Sequence, residues 1–292
     1  MLKRLTRPQR PVLLPSGVVA QPNAALASLL RKSGALVALL AVWQLASVTG
    51  LVQEQILPPP LTVLQTFVEL STDWSVFALQ NLQFQLVIST GMSLLRVAVG
   101  LTCGVVIGVV TGYLVAWYPL AAFPLDFLIR SLRTIPGLAW VPLAVVWFGV
   151  SWLGPIFIVT LSATFPIALA TIHGVRTVNP TYIQALRTLG ANDRTILREV
   201  ILPGAVPSIL TGVRVGMNIG WWSVIAAEMF GAAGGLGFLI SFYGAVVKMP
   251  EVMAGMVAVG VVGFMLDQSH TAVQRRLLAW QGPRETLERG VG

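Results

Sequence analysis

Few residues of this chain have the types and spacing for chemistry. The two histidines, His173 and His270, fall in no serine–histidine–carboxylate cluster and no metal-ligand spacing, and no Walker lysine motif occurs. Both are expected to pack between helices or sit at an interface, not to hold a ligand. Cys103, the sole cysteine, lies in an apolar run, which rules out an internal disulfide framework or a cysteine metal site. What remains is three ionisable residues at or within apolar segments, Arg96, Arg214 and Glu228. Their chemistry is electrostatic: arginine attracts an anion, and a carboxylate repels it. An unpaired charge at membrane depth costs several kcal/mol, so each is a candidate for lining a polar pathway. Arg96 and Arg214 are also expected to reach headgroups by snorkelling, at the outer and inner boundaries respectively. Glu228 is expected to line the outer end of a path or to bond backbone near Gly231. Along one helix Arg214 and Glu228 are roughly 21 Å apart at 1.5 Å per residue, too far to pair.

The elements that hold these charges are apolar. Hydrophobic residues make up 55% and charged residues 10% of the 292, and the mean hydropathy is +0.80, which excludes a soluble enzyme. Several stretches approach the roughly 20 residues needed to cross a hydrocarbon core. The net charge of +8 lies scattered between those stretches, so it reads as a topology signal and not as a nucleic-acid patch. The expected class is an all-α integral membrane protein of about six spans.

The basic residues Lys3, Arg4, Arg7 and Arg10 precede a proline-interrupted stretch, so residues 1–33 are expected to be a cytoplasmic tail without a removable signal. The span domain is expected over 34–272 and a cytoplasmic tail over 273–292. The first span is expected from Gly34 to Val52, and residues 54–85, which lack Lys and Arg, on the external face. A second span, Val97 to Trp117, carries Gly100, Gly104, Gly108 and Gly112 on one helix face. That pattern fits either a close helix–helix seam or the ordinary glycine content of membrane helices. Residues 119–136 suit an amphipathic helix at the inner interface. A short third span, Pro136 to Val150, is made irregular by Pro136 and Pro142, and such backbone is tolerated at depth only within protein or beside a cavity. Further spans are expected from Leu153 to Gly174, from Pro203 to about Phe230, and from Val252 to Leu266, with a glycine-rich external stretch at 231–250. Most Lys and Arg then fall on one side, placing both termini inside. Tryptophans such as Trp140, Trp152 and Trp221 fit interface belts or interhelical packing.

The segment 175–203 is the most polar internal stretch and is expected to be a cytoplasmic loop of two short helices. Asn179 can cap a helix that begins at Pro180. Gly190 supplies a left-handed residue to end it. Asn192 or Asp193 can cap a second helix, expected to run to about Leu202 and break at Pro203. By spacing, Tyr182, Leu186 and Leu189 share an apolar face. Such a face needs either a partner surface or lipid headgroups, and the residues alone leave both open.

The run Gln184-Ala185-Leu186, then Gly190, then Val200-Ile201-Leu202-Pro203, resembles the EAA loop of ABC importer permeases. Gln184 stands where that pattern has an acidic residue, Leu186 for its second alanine and Val200 for its isoleucine. Arg133-Thr134-Ile135-Pro136, Val141-Pro142-Leu143 and Trp147-Phe148-Gly149, with Ala227-Glu228 and Gly235-Leu236-Gly237, are similar to the nitrate, sulfonate, taurine and bicarbonate branch. The likeness runs from about Leu57 to Leu278.

The resemblance implies a type I importer permease in the inner membrane. Its coupling helix, with Tyr182, Gln184, Ala185, Leu186, Leu189, Gly190, Leu202 and Pro203, would contact an ATP-binding cassette subunit. ATP and Mg would be held by that partner, so no cofactor and no catalytic site is expected here. The other partners implied are a second permease copy, as a homodimer, an external substrate-binding protein and membrane lipid, with no nucleic acid. A small anion is the implied cargo. The alternative, a self-contained secondary transporter or channel, would need buried coupling charges or inverted repeats, which the sequence does not display.

Overall fold

Glycines set the closest helix packing in this protein. In the computed structural model, which describes residues 22–49, 53, 56–72 and 85–279, α3 (Gln85–Trp117) lies against α6 (Leu153–Arg176) along its glycine stripe. A Cβ on Gly104 would stand 2.9 Å from the Ala163 Cβ, and one on Gly108 would stand 2.8 Å from the Thr164 carbonyl oxygen. The spacing of four therefore marks a helix seam. On the far side of α6, Gly212 and Gly216 of α9 (Leu202–Gly231) make the same close approach to Ala170 and Ile167. Held from both sides, α6 has 50% of its most apolar stretch buried, against 28% in α3 and α9.

The chain divides into two units, Met1–Val52 and Gln53–Gly292. The described part of the first is α1 (Pro22–Val48), in which Val37–Val48 is a short apolar helical stretch where a span from Gly34 was expected. The basic residues at 3–10 and the tail arginines Arg284 and Arg289 lie outside the described residues.

The second unit opens with α2 (Pro60–Thr72), within the segment expected outside, and continues through α3, α4 (Pro119–Leu132), α5 (Val141–Phe148) and α6. The loop helices α7 (Pro180–Thr188) and α8 (Asp193–Ile196) lead into α9, which is followed by α10 (Leu236–Ala245) and α11 (Met249–Leu277). No strand occurs among the described residues. Four helices are long and apolar enough to cross a membrane, and five if α4 and the segment Gly137–Phe148, bent by 92°, count as one broken span.

Three boundaries differ from the sequence reading. α3 begins at Gln85, twelve residues before Val97, so Arg96 lies inside the helix and not ahead of it. The stretch 231–250 contains α10, whose Leu236, Leu239 and Tyr243 join a core with Val159, Trp221 and Val224. α11 continues to Leu277, carrying Asp267 within it.

Candidate functional site: a loop, two ion pairs and a cleft

The loop forms as its local chemistry dictates. The Asn179 side chain accepts the Thr181 N–H at 2.9 Å, and Pro180 occupies the first helical turn. α7 ends in a Schellman arrangement, with the Ala191 N–H donating to the Leu186 carbonyl and the Gly190 N–H to that of Arg187. Gly190 has φ +80°, where a Cβ is strained, and nothing packs within 4 Å of it. Asn192 caps α8 by accepting the Thr195 N–H at 2.9 Å.

Two details overturn expectation. Leu186 does not share an exposed face with Tyr182 and Leu189; it turns inward with Ile183 onto a cluster of Val175, Ile196, Ile201 and Ala205. About 40° of helical wheel separate it from Tyr182 and about 60° from Leu189, enough to place it on the boundary of the buried arc. Tyr182 and Leu189 remain 61% and 81% exposed. Nor does Pro203 break the second helix. Residues 197–201 form a π-turn, closed by the Leu202 N–H on the Leu197 carbonyl, and the helix runs on through Pro203 into α9. The wider turn absorbs the ladder bond that proline cannot make. Gln184, Ala185, Leu202 and Pro203 are exposed, and Tyr182, Ala185, Leu186 and Val200 line a cleft of about 590 Å³.

At the other end of α9 the charges are paired. Arg96 is 2% exposed and Glu228 fully buried, and Nη1 of Arg96 donates to Glu228 Oε1 at 2.7 Å and to the Gly234 carbonyl at 2.6 Å. The Ser93 hydroxyl lies 2.8 Å and 2.9 Å from the two carboxylate oxygens and accepts the Leu236 N–H at 3.0 Å. The Gly237 N–H donates to Glu228 Oε2 at 3.0 Å. The Arg96 guanidinium also stacks 4.4 Å from the centre of the Trp152 ring. Arg96 therefore does not snorkel, and the backbone partner of Glu228 is the Gly237 N–H in the first turn of α10, while the α9–α10 turn is held by Arg96 through the Gly234 carbonyl. Burial of the pair is tolerated because the carboxylate meets three donors at once.

Arg214 is likewise paired and not reaching headgroups alone. Its Nε and Nη2 donate to the two carboxylate oxygens of Asp267, each at 2.7 Å, bridging α9 to α11 in a bidentate fork. The sequence reading missed Asp267 by ending the span at Leu266; an acidic residue within an apolar helical run was the available signal. Ser93 left no comparable signal. His270 sits one turn from Asp267 in α11 and is half-buried. Among the described residues, no group of three or more metal-ligating side chains comes together.

These features fall largely within one stretch. Residues 104–279 match the model of the family described as binding-protein-dependent transport system inner membrane component. The chain belongs to that family. The permease is 34% identical over 249 residues to the taurine transport system permease protein TauC of Escherichia coli, covering 85% of this chain and 89% of TauC. It is 32% identical over 242 residues to the nitrate import permease protein NrtB of Synechocystis, covering 82% and 86%. Its fold resembles a chain of the MetNI methionine ABC transporter in an inward-facing conformation, with a TM-score of 0.59 and 22% identity over 68% of this chain and 99% of that one. It is thus an ABC transporter permease, a multi-pass inner-membrane protein with a type I importer fold.

Proposed function

We propose that this permease forms the translocation path of an ATP-driven importer for a small oxyanion of the sulfonate or nitrate class, and that its loop 175–203 is the coupling helix seated on an ATP-binding subunit. The observation that carries the coupling assignment is the loop surface. Tyr182 and Leu189 stand exposed on a segment stiffened by two side-chain caps and a Schellman end, beside a cleft of about 590 Å³. Rigid apolar projections beside a cleft suit a protein partner better than lipid, because a packed partner rewards fixed geometry. The substrate class follows from the relatives, TauC for taurine and NrtB for nitrate.

In this reading two copies of the permease pair with two ATP-binding subunits, which bind ATP and Mg and perform the hydrolysis, and an external binding protein delivers cargo. The positive charge of Arg176, Arg187, Arg194 and Arg198 supports a cytoplasmic loop, and that of Arg275 and Arg276 near the end of α11 supports a cytoplasmic C-terminal side. Nucleotide-driven closure of the subunits then biases the two states of the path through the loops. Arg96 and Glu228 act in the frame around the path, since they are paired with each other and with backbone of the α9–α10 turn and α10.

The test is co-purification of the ATP-binding subunit with the native permease and with Leu189→Asp, alongside ATP-driven uptake of taurine and nitrate in proteoliposomes. Leu189→Asp should weaken association at least tenfold and abolish uptake while leaving the permease's thermal stability unchanged. Unchanged association and uptake would remove the coupling role from this face.

A further inference from the structure

The bend between α4 and α5 opens a cavity that no part of the coupling loop or the ion pairs uses. It has a volume of about 270 Å³ and is walled by Arg133, Gly137, Trp140, Ser162, Phe165 and Ile219, from the bend, α6 and α9. Ser162 stands roughly 14 Å from one end of α6 and 21 Å from the other, so this wall of the cavity lies near the middle of that helix, while Arg133 lies exposed at the bend. No carboxylate is among its lining residues.

Its polar groups share one character. Ser162 is only 8% exposed and its hydroxyl has no hydrogen-bond partner; the Trp140 Nε1–H is also buried and unpartnered. Buried donors are almost always satisfied, so two orphans on one cavity wall point to an absent acceptor. Gly137 keeps the space in front of Ser162 open, since a Cβ there would lie 2.4 Å from the Ser162 oxygen and 3.0 Å from that of Ser223. The third group is Arg133. Like the exposed Arg176, Arg194, Arg198, Arg275 and Arg276, Arg133 makes no ion pair among the described residues, but it alone of these lines the cavity. A cation without a counter-ion beside two unmet donors, in a wall free of carboxylates, is the donor set for an oxyanion.

We infer that this cavity is an anion station on the path, in which Arg133, the Trp140 Nε1–H and the Ser162 hydroxyl together receive the sulfonate or nitrate head of the substrate. The volume suits this cargo. A water occupies roughly 30 Å³ of liquid, so an anion of a few heavy atoms fits with residual water, whereas pockets for larger ligands begin near 300 Å³. The inference rests on the import reading above and adds to it a place where selectivity is exercised after the binding protein has released its cargo.

The experiment uses the complete importer, permease with its ATP-binding subunits and binding protein, in proteoliposomes, with labelled taurine and labelled nitrate as separate probes. Trp140→Phe and Ser162→Ala each remove one donor with little change of shape and should each lower the maximal uptake rate at least threefold. Arg133→Gln should lower it tenfold or more, and Arg133→Lys should restore part of the loss. Subunit association, melting temperature and the binding protein's affinity should stay at wild-type values in all four, which a purely structural role would not permit. A loss confined to one probe supports the station and identifies its cargo. Wild-type uptake in all four variants overturns the station while leaving the import reading intact. A wild-type assembly that imports neither probe overturns the substrate class and this inference with it.

Discussion

At the Glu228 end of α9 a buried carboxylate is held by an arginine and a serine of α3 and a backbone N–H of α10, whereas at the Leu202 end the helix is entered through a π-turn beside a loop whose Tyr182 and Leu189 face outward. The first end is largely closed on itself; the Glu228 carboxylate and Nη1 of Arg96 find partners within the chain, and only the Arg96 Nε is left without one. The second leaves apolar area and a cleft for something outside the chain. Under the proposed function, one helix joins a fixed frame to the surface assigned to a partner, the division of labour needed by a subunit that must transmit motion without losing its own fold. The cavity at the α4–α5 bend differs from both, because its wall carries two buried donors, the Trp140 Nε1–H and the Ser162 hydroxyl, that are left unmet.

The sharpest way to break this contrast is Glu228→Leu. With Arg96 left buried and unpaired, the permease should lose about 3–5 kcal/mol, seen as a large fall in the melting temperature of the detergent-solubilised protein. The double variant Arg96→Met with Glu228→Leu should recover most of that loss, because a packed apolar pair replaces a buried ionic one. A single variant of native stability would mean that water reaches the pair and that the end is not closed.

A matched pair of glycine substitutions sharpens the comparison at a smaller scale. In Gly237→Ala the new Cβ would meet the Ile225 carbonyl oxygen at 2.1 Å and the Glu228 Cβ at 2.7 Å, so α10 must shift, at a cost of about 1–3 kcal/mol in stability. In Gly190→Ala nothing lies within 4 Å, and the expected cost is only the left-handed backbone strain, about 1 kcal/mol. Uptake should show the reverse order per unit of stability lost, since Gly190 shapes the proposed coupling surface. Equal sensitivity of uptake to the two changes would dissolve the distinction between frame and transmitting surface.

How much of this was legible in the sequence follows from the range of the interactions. Asn179, Pro180, Gly190 and Asn192 act on backbone within four residues of themselves, so the loop could be read almost atom by atom. The glycine stripe showed which face of α3 would be approached, though not that α6 would fill it. The ion pairs were out of reach, because Arg96 and Glu228 are 132 residues apart and become neighbours only when α3, α9 and the turn into α10 assemble. Leu186 was misplaced for a related reason: periodicity gives the angle of a side chain on its own helix but not where the neighbouring helix ends. Pro203 misled because the rule that proline stops a helix assumes an α-type ladder before it, and a π-turn supplies a different one.

The smallest effect is expected from the pair that looks most like a fastener of the open end. Arg187 and Asp193 stand 3.5 Å apart across the Gly190 turn, but their side chains are 60% and 71% exposed, so water competes for both and salt screens what remains. A double-mutant cycle on Arg187→Ala and Asp193→Ala, read by thermal unfolding, should give a coupling of at most about 0.5 kcal/mol. The same cycle read by affinity for the ATP-binding subunit is the more informative half. If the loop geometry is set by its caps and its Schellman turn, the two side chains should also act independently there, each through whatever it touches on the partner. A coupling well above 1 kcal/mol in either readout would mean that the loop is clamped from within, and the surface assigned here to a partner would then carry part of the permease's own stability.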